Sequence, residues 1–563
     1  MNIRHSINPA QMIPAIIPRA FLLAAIFFAS PHPASADVKL PAIISDHMVL
    51  QKSAKVPIWG KADPGEEVTV TIDGKTAKAT AGPDGRWRVK LEGLQPGVAG
   101  DMTVSGKNSL IVRDVVVGDV WVCSGQSNME MPLKATWISQ GGVLDFEQEI
   151  AAANYPKIRM FTVPKKASEI PLEDVAGKWE ICAPETVPGW SATGYFFGRQ
   201  LHQDLGIPIG LIHSSWGGTM AQAWTPSEVL QGTPEFKTAY YDKRQAELAN
   251  YPALKAKYEK ETLPAWQASA DVAKAAGKPV PIKPRGPVGP GMGPAASTLY
   301  NGMIAGATKY PIKGAIWYQG ESNAIDNDSE RYRRLLPAMI TSWRKAWAQP
   351  DFPFYIVQLA NFMAPRPDPA DSKWANLRDA QRLTALNLPN TGLAVAIDIG
   401  EGNNIHPRNK QEVGRRLALV AEAKSYGKNT VCSGPSFDSA KFDGASATVI
   451  FEAGTALGLT AKDTGSVKGF ALAGEDQKFV WADAKIASPR HDQGNEPVIV
   501  LSAPGVAHPV AVRYAWANNP EVNLVNKANL PAVPFRTDDW PQVETPAPHA
   551  QPTAPAAAGR SNP

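Results

Sequence analysis

Asp119 to Leu133 reads D-V-W-V-C-S-G-Q-S-N-M-E-M-P-L. The valine-rich run from Val115 to Val122 has the pattern of a strand buried on both faces, as in a parallel sheet. It stops at Cys123-Ser124-Gly125-Gln126-Ser127-Asn128, whose small and polar residues suit a sharp turn. Open α/β sheets place their ligand chemistry at the carboxyl ends of strands. A serine at such a turn exposes its hydroxyl while its own backbone N–H points at the same spot, which is half of an acyl-transfer site. The second glycine of G-x-S-x-G is missing, so an ordinary α/β-hydrolase elbow is a poor match.

Three further turns follow apolar runs and hold complementary groups. His213-Ser214-Ser215-Trp216-Gly217-Gly218-Thr219 has paired glycines, which let a backbone N–H approach a ligand closely. Gln319-Gly320-Glu321-Ser322-Asn323 offers an amide able to donate to an oxyanion, or to cap the next helix. Asp398-Ile399-Gly400-Glu401-Gly402-Asn403-Asn404-Ile405-His406-Pro407 supplies His406, the natural general base for Ser127. Together the turns provide a nucleophile, two kinds of oxyanion donor and a base.

The elements that must position these turns follow from hydrophobic patterning. Ile207–Ser215, Ile312–Tyr318, Phe354–Leu359 and Leu393–Ile399 read as buried strands, with helices at Gly194–Leu205 and Gln411–Ala423. That alternation predicts a parallel α/β sheet. Before it, Asp37 to Arg113 has short alternating runs at Val56–Trp59, Val68–Ile72 and Trp87–Leu91, separated by Gly/Asp/Pro turns, as in a small β-sandwich. Trp59 and Trp87 are expected in its core rather than as carbohydrate platforms. Thr448 to Tyr514 looks like a second sandwich. The charged, alanine-rich and then Pro/Gly-rich segment 227–297 interrupts the sheet pattern as an insertion, either a solvated helical spur or a lid. The expected division is a signal peptide at 1–36, an N-terminal sandwich at 37–114, a catalytic domain at 115–430 with the insertion, a C-terminal sandwich at 431–540 and a disordered Pro/Ala-rich tail at 541–563.

A chain of 563 residues is too long for one core, and 44% hydrophobic with 20% charged residues is a globular composition. The net charge of +4 is small for this length and gives no reason to expect nucleic acid or an anionic membrane. Arg4, His5 and Arg19 precede the apolar run Ala20 to Ala29, and Ala34-Ser35-Ala36 suits signal-peptide cleavage. Hence a secreted or periplasmic protein is expected, with no membrane contact after cleavage. Of the three cysteines, Cys123 is expected as a buried thiol, while Cys182 and Cys432 are the pair available for a disulfide. No Cys/His spacing resembles a zinc site. Nothing in the sequence sets an oligomeric state.

G-Q-S-N, W-G-G-T, Q-G-E-S-N and I-H-P, in this order, resemble the sialate O-acetylesterase family of the SGNH hydrolases. The likeness extends to Asp46-His47-Met48-Val49-Leu50-Gln51, Val120-Trp121-Val122, Lys468-Gly469-Phe470, Arg513-Tyr514-Ala515-Trp516 and Pro534-Phe535-Arg536. It implies an SGNH-type three-layer hydrolase domain flanked by two β-sandwich-like domains. It also implies a serine esterase that removes O-acetyl groups from sugars without a metal or cofactor. By position, it implies Ser127 as nucleophile, His406 as base, and Gly218 (or Gly217) and Asn323 as oxyanion donors beside the Ser127 N–H. SGNH enzymes often place an aspartate three residues before the histidine, and here Asn403 stands in that place. An amide cannot stabilise an imidazolium as a carboxylate does. Three arrangements stay open: Asp398 as the acid, Glu401 as the acid, or a Ser–His dyad with a backbone carbonyl orienting the ring. Deacetylation of xylan or pectin is the rival activity, and a non-catalytic carbohydrate-binding protein is the rival of another class.

Overall fold

The computed structural model describes residues 37–541 apart from 54, 98, 326–327, 464 and 490–494. The signal peptide expected at 1–36 and the tail beyond Pro541 lie outside the described residues. The central feature is one long strand, Ser109–Gly125. Its first half alternates exposed and buried residues, and from Val115 onward every residue is buried. The change marks two environments on one strand, a sheet wet on one side and a sheet covered on both. The first half pairs antiparallel with Ala99–Ser105 and the middle parallel with Val49–Gln51. The second half pairs in parallel with Ile209–Ser215 on one side and Gly314–Tyr318 on the other. The domain boundary expected after Asp114 therefore falls inside a continuous strand. Asp114 itself has φ 54°, a local kink whose carboxylate meets the Arg159 guanidinium at 2.9 Å.

Across the central sheet the strand order is Thr391–Ala394, Phe354–Val357, Gly314–Tyr318, Ser109–Gly125, Ile209–Ser215, Tyr155–Thr162 and Trp179–Cys182. All neighbours are parallel except the last pair, Tyr155–Thr162 with Trp179–Cys182, which is antiparallel. The architecture is thus mixed α/β around a central mixed sheet. The helices Ala192–Leu205 and Lys410–Ser425 pack on each other and on this sheet, as do Ser329–Ala346 and Lys373–Asn387 on each other. Each of three starts on a side-chain cap: Ser191 accepts from the Gly194 N–H, Ser372 from the Ala375 N–H, and Asn409 from the Glu412 N–H. The expected strand Leu393–Ile399 ends at Ala394, which leaves Asp398 in the loop beyond it.

Gly125 ends the long strand with φ +141°, and a Cβ there would sit 2.1 Å from the Tyr318 carbonyl oxygen. Gly125→Ala should therefore cost about 3 kcal/mol or more of stability, from backbone strain and overpacking together. Chemical denaturation would show it, and a parent-like midpoint would contradict it.

Further antiparallel sheets lie beyond the central one. Phe437–Asp443, Ser446–Phe451, Val498–Ser502 and Asp483–Ala487 form one, and Val480–Trp481, Phe470–Ala473, Ala511–Tyr514 and Phe535–Arg536 form another. They share a core that also takes in Val395 and Ile397. In the insertion, helices cover Ser227–Gly232, Asp242–Lys257 and Leu263–Ala275, and the Tyr240 hydroxyl donates to Asp328 next to the Gln319–Asn323 turn. Trp87 is in the core as expected, whereas Trp59 is only half-buried.

All three cysteines are free thiols, so the pairing considered for Cys182 and Cys432 does not form. Cys182 is on the outermost strand, while Cys432 lies by Tyr355. Five strand spacings separate the strands of Cys182 and Tyr355, about 24 Å, well beyond disulfide reach. Among the described residues no helix is long and apolar enough to cross a membrane.

Candidate active site

At the carboxyl end of the long strand, the turn 125–127 leads into the short helix Ser127–Glu130. The Gln126 N–H donates to Tyr318 O (3.0 Å) and the Trp216 N–H to Gly125 O (3.1 Å), so the two neighbouring strands hold the turn from both sides. Ser124 is fully buried and its hydroxyl has no partner, whereas Ser127 is partly exposed. Ser127 is therefore the serine that a substrate can reach.

His406, distant in sequence, arrives on the loop between Ala394 and the Lys410–Ser425 helix. Its Nε2 lies 2.8 Å from Ser127 Oγ. The Trp137 ring stands edge-on to the imidazole at 4.8 Å, with Trp137 itself half exposed at the mouth of the site. The Gly217-Gly218 turn closes over the serine. A Cβ on Gly217 would meet Ser127 Cβ at 3.2 Å. Glu130 accepts from the Gly217 N–H and pairs with Lys165 at 2.5 Å, which pins this turn to the Ser127–Glu130 helix. The Gly217 N–H is thereby occupied. Among the described residues, the N–H groups of Ser127 and Gly218 have no intramolecular acceptor.

Comparison with known proteins shows what the chain as a whole is similar to. The model of a family described as carbohydrate esterase, sialic acid-specific acetylesterase, matches residues 289–422. A sialate O-acetylesterase of Mus musculus is 32% identical over 436 residues, spanning 70% of this chain and 75% of that protein. The chain belongs to the sialate O-acetylesterase family. The Homo sapiens sialate O-acetylesterase is 31% identical over 437 residues, 70% of this chain and 73% of its own. The crystal structure of a carbohydrate acetylesterase from Xanthomonas citri matches with TM-score 0.73 and 37% identity, over 89% of this chain and 100% of that one.

Within this family member, two of the expected acids are engaged elsewhere. Asp398 forms a two-pronged pair with Arg416 (2.5 and 2.9 Å), because the strand ends before it and the Lys410–Ser425 helix presents a buried guanidinium to it. Glu401 turns back on its own loop, accepting from the Arg408 N–H (2.7 Å) and the Asn404 amide (3.1 Å). Among the described residues, neither a carboxylate nor a carbonyl is hydrogen-bonded to His406 Nδ1. The loop is instead fixed through its backbone. The His406 N–H donates to Asn404 Oδ1 (3.0 Å), and Asn128 Nδ2 donates to Ile405 O (3.0 Å). Lys410 Nζ donates to both Pro407 O and Asn128 Oδ1, each at 2.7 Å. Asn128 Nδ2 also donates to buried Glu321 at 2.5 Å. A polar network of Glu321, Asn128 and Lys410 thus lies under the Ser127–His406 pair. Sequence reading missed it, since each residue is of an ordinary type and the partners lie 193 and 282 positions apart.

Asn323 reaches the same end of the sheet but has no spare donor. Its Nδ2 donates to Gln222 and Asp328, both at 3.2 Å. Its Oδ1 accepts from the Ala221 N–H (3.0 Å) and Gln319 Nε2 (2.7 Å). These bonds tie the segment after the Gly217-Gly218 turn to the Gln319–Asn323 turn.

Burial, and then the nearby charge of Lys410, lowers the His406 pKa to about 4. Burial likewise lowers Lys410 to about 7 and raises Glu321 above the ordinary carboxylate value. A general base works unprotonated, so a lowered pKa keeps it competent into acid. kcat/KM for p-nitrophenyl acetate should stay level from neutrality down to roughly pH 5 and fall as pH drops through about 4. An acid limb at the ordinary histidine value of about 6.5 would contradict this.

Proposed function

We propose that the protein is a serine carboxylesterase that removes O-acetyl groups from sugars, with O-acetylated sialic acid the leading substrate. The observation that carries the reading is the 2.8 Å contact of Ser127 Oγ with His406 Nε2 at the carboxyl end of the sheet, in a chain of this family. Ser127 Oγ attacks the acetyl carbonyl carbon as its proton passes to His406 Nε2. The N–H groups of Ser127 and Gly218 receive the oxyanion that develops. Collapse expels the sugar hydroxyl, which takes the proton from His406 and leaves an acetyl ester on Ser127. Water, deprotonated by the same histidine, then attacks this ester and releases acetate. The catalytic pair works as a Ser–His dyad on a backbone-anchored loop, with Glu401 positioning that loop.

The parallel sheet with its helix pairs supports a three-layer SGNH-type domain. The antiparallel first half of the long strand, with the paired strands Lys55–Lys61 and Arg86–Glu92, supports an N-terminal β-sandwich, and the antiparallel sheets after Phe437 support a C-terminal one. The leader-like N-terminus supports a secreted or periplasmic site of action. Acetate release from O-acetylated sialic acid and from acetylated xylan, measured side by side, tests the substrate. Faster release from the sialic acid is expected. Release from xylan alone would move the assignment to plant polysaccharide, and release from neither substrate nor from p-nitrophenyl acetate would leave a non-catalytic binding protein.

A further inference from the structure

The strands Lys55–Lys61 and Arg86–Glu92 form a two-stranded ribbon on the N-terminal side of the molecule. Its register sets Pro57 opposite Lys90, Trp59 opposite Arg88 and Lys61 opposite Arg86. Arg86–Glu92 alternates strictly, with Trp87, Val89 and Leu91 buried and the residues between them exposed. The outer face therefore carries Arg86, Arg88 and Lys90 in a row, about 7 Å apart, beside the half-buried Trp59. Like charges directly across a ribbon destabilise it. Lys61 and Arg86 offset theirs by sharing Glu173. Among the described residues, Arg88 and Lys90 have no carboxylate partner.

This face is one wall of two adjoining cavities, of about 710 and 450 Å³, which share Arg88 and Lys309 in their lining. Lys52, Lys309 and Lys313 bring further positive charge to the larger one. The carboxylate there, Asp119, is taken up by Gln51 (2.8 Å) and the Tyr426 hydroxyl (2.9 Å). In the smaller cavity Glu173 is held by Lys61 and Arg86, Asp174 accepts from the Ala42 and Val175 N–H groups, and Trp59 supplies an aromatic wall beside Lys39, Arg86, Arg88 and Lys309. A small net charge thus conceals a strongly basic groove. It lies away from the catalytic pair, because Lys313 and Pro353 directly precede parallel strands and Asp119 lies level with the first residue of Ile209–Ser215. The six residue steps from Asp119 to Gly125 span about 20 Å of sheet.

We propose that this groove is a second carbohydrate site, which binds a carboxylate-bearing polysaccharide. Trp59 stacks on a sugar ring, and Arg88, Lys90 and Lys309 pair with the uronate carboxylates. The cavities have the size of ordinary small-ligand sites, room for a few sugar units. Among the lining aromatics Trp87, Trp347 and Phe352 are buried and Lys313 lies over the Tyr426 ring, which leaves Trp59 as the open platform. One open platform beside a row of cations suits a charged glycan better than single-stranded nucleic acid, which is held by successive stacking platforms. The choice of a glycan rests on the carbohydrate-esterase reading. The groove would hold a carboxylate-bearing chain while Ser127 acts at the other end of the sheet.

Native-gel electrophoresis of the full chain through polygalacturonate, with dextran and dextran sulfate as controls, tests the idea. Polygalacturonate should retard the protein and dextran should not. The double variant Arg88→Ala/Lys90→Ala, on two exposed positions, should weaken binding about tenfold or more while p-nitrophenyl acetate turnover stays at the parent rate. Trp59→Ala should weaken it too. Absence of retardation, or retardation that the double variant retains, overturns the proposal. Stronger retardation by dextran sulfate that ignores Trp59→Ala also overturns it, in favour of a general polyanion surface. The ester assay reports the catalytic site separately, so loss of esterase activity in the parent would sink the esterase reading and leave the binding result standing.

Discussion

Ser127→Ala should lower ester hydrolysis by about 10⁴-fold or more, since removing the nucleophile of such a pair forfeits covalent catalysis entirely. Stability should change by less than about 0.5 kcal/mol, the range for a substitution outside the packed core. The structural reason is that the side chain is partly exposed and its one hydrogen bond is to His406. p-Nitrophenyl acetate turnover and thermal melting of the same preparation check both halves. A variant that melts like the parent and retains its rate would remove Ser127 from the mechanism.

Lys410→Met should lose several kcal/mol, about 1–3 for each of the two buried acceptors left without their donor. The methionine fills similar space, but Asn128 Oδ1 and Pro407 O lose their donor, and Glu321 loses a nearby cation. A purely structural role would stop there. Lys410 also lies near enough to depress the His406 pKa, so its removal should move the acid limb of kcat/KM to higher pH. The expected result is a lower denaturation midpoint together with an upward-shifted limb. An unchanged limb in folded protein would confine Lys410 to holding the loop.

What the sequence made legible was local. The apolar run before Ser127, the glycine pair and the turn at Gln319–Asn323 each follow a strand found close to its expected place. His406 was legible because few other side chains can serve as base to a serine. The acid was not. Asp398 looked like a strand-end carboxylate, but its strand closes at Ala394 and Arg416, on a helix beyond the site, claims it. Asn323 looked like a free amide at a turn, yet four neighbours consume its hydrogen-bonding capacity. The Glu321, Asn128 and Lys410 network has no motif, because it exists only once the three turns meet. The ends of the long strand were likewise hidden. Alternation before Asp114 and continuous burial after it read as two domains, although one strand continues through both with a bulge at Arg113 and Asp114.

The account stands on Ser127 becoming acetylated during turnover. The most direct measurement is acid quenching during p-nitrophenyl acetate hydrolysis, followed by peptide mapping with mass spectrometry. The predicted result is an acetyl group on Ser127, absent from Ser127→Ala. An acetyl group on Ser124, or turnover with no acetylated peptide at all, would contradict it.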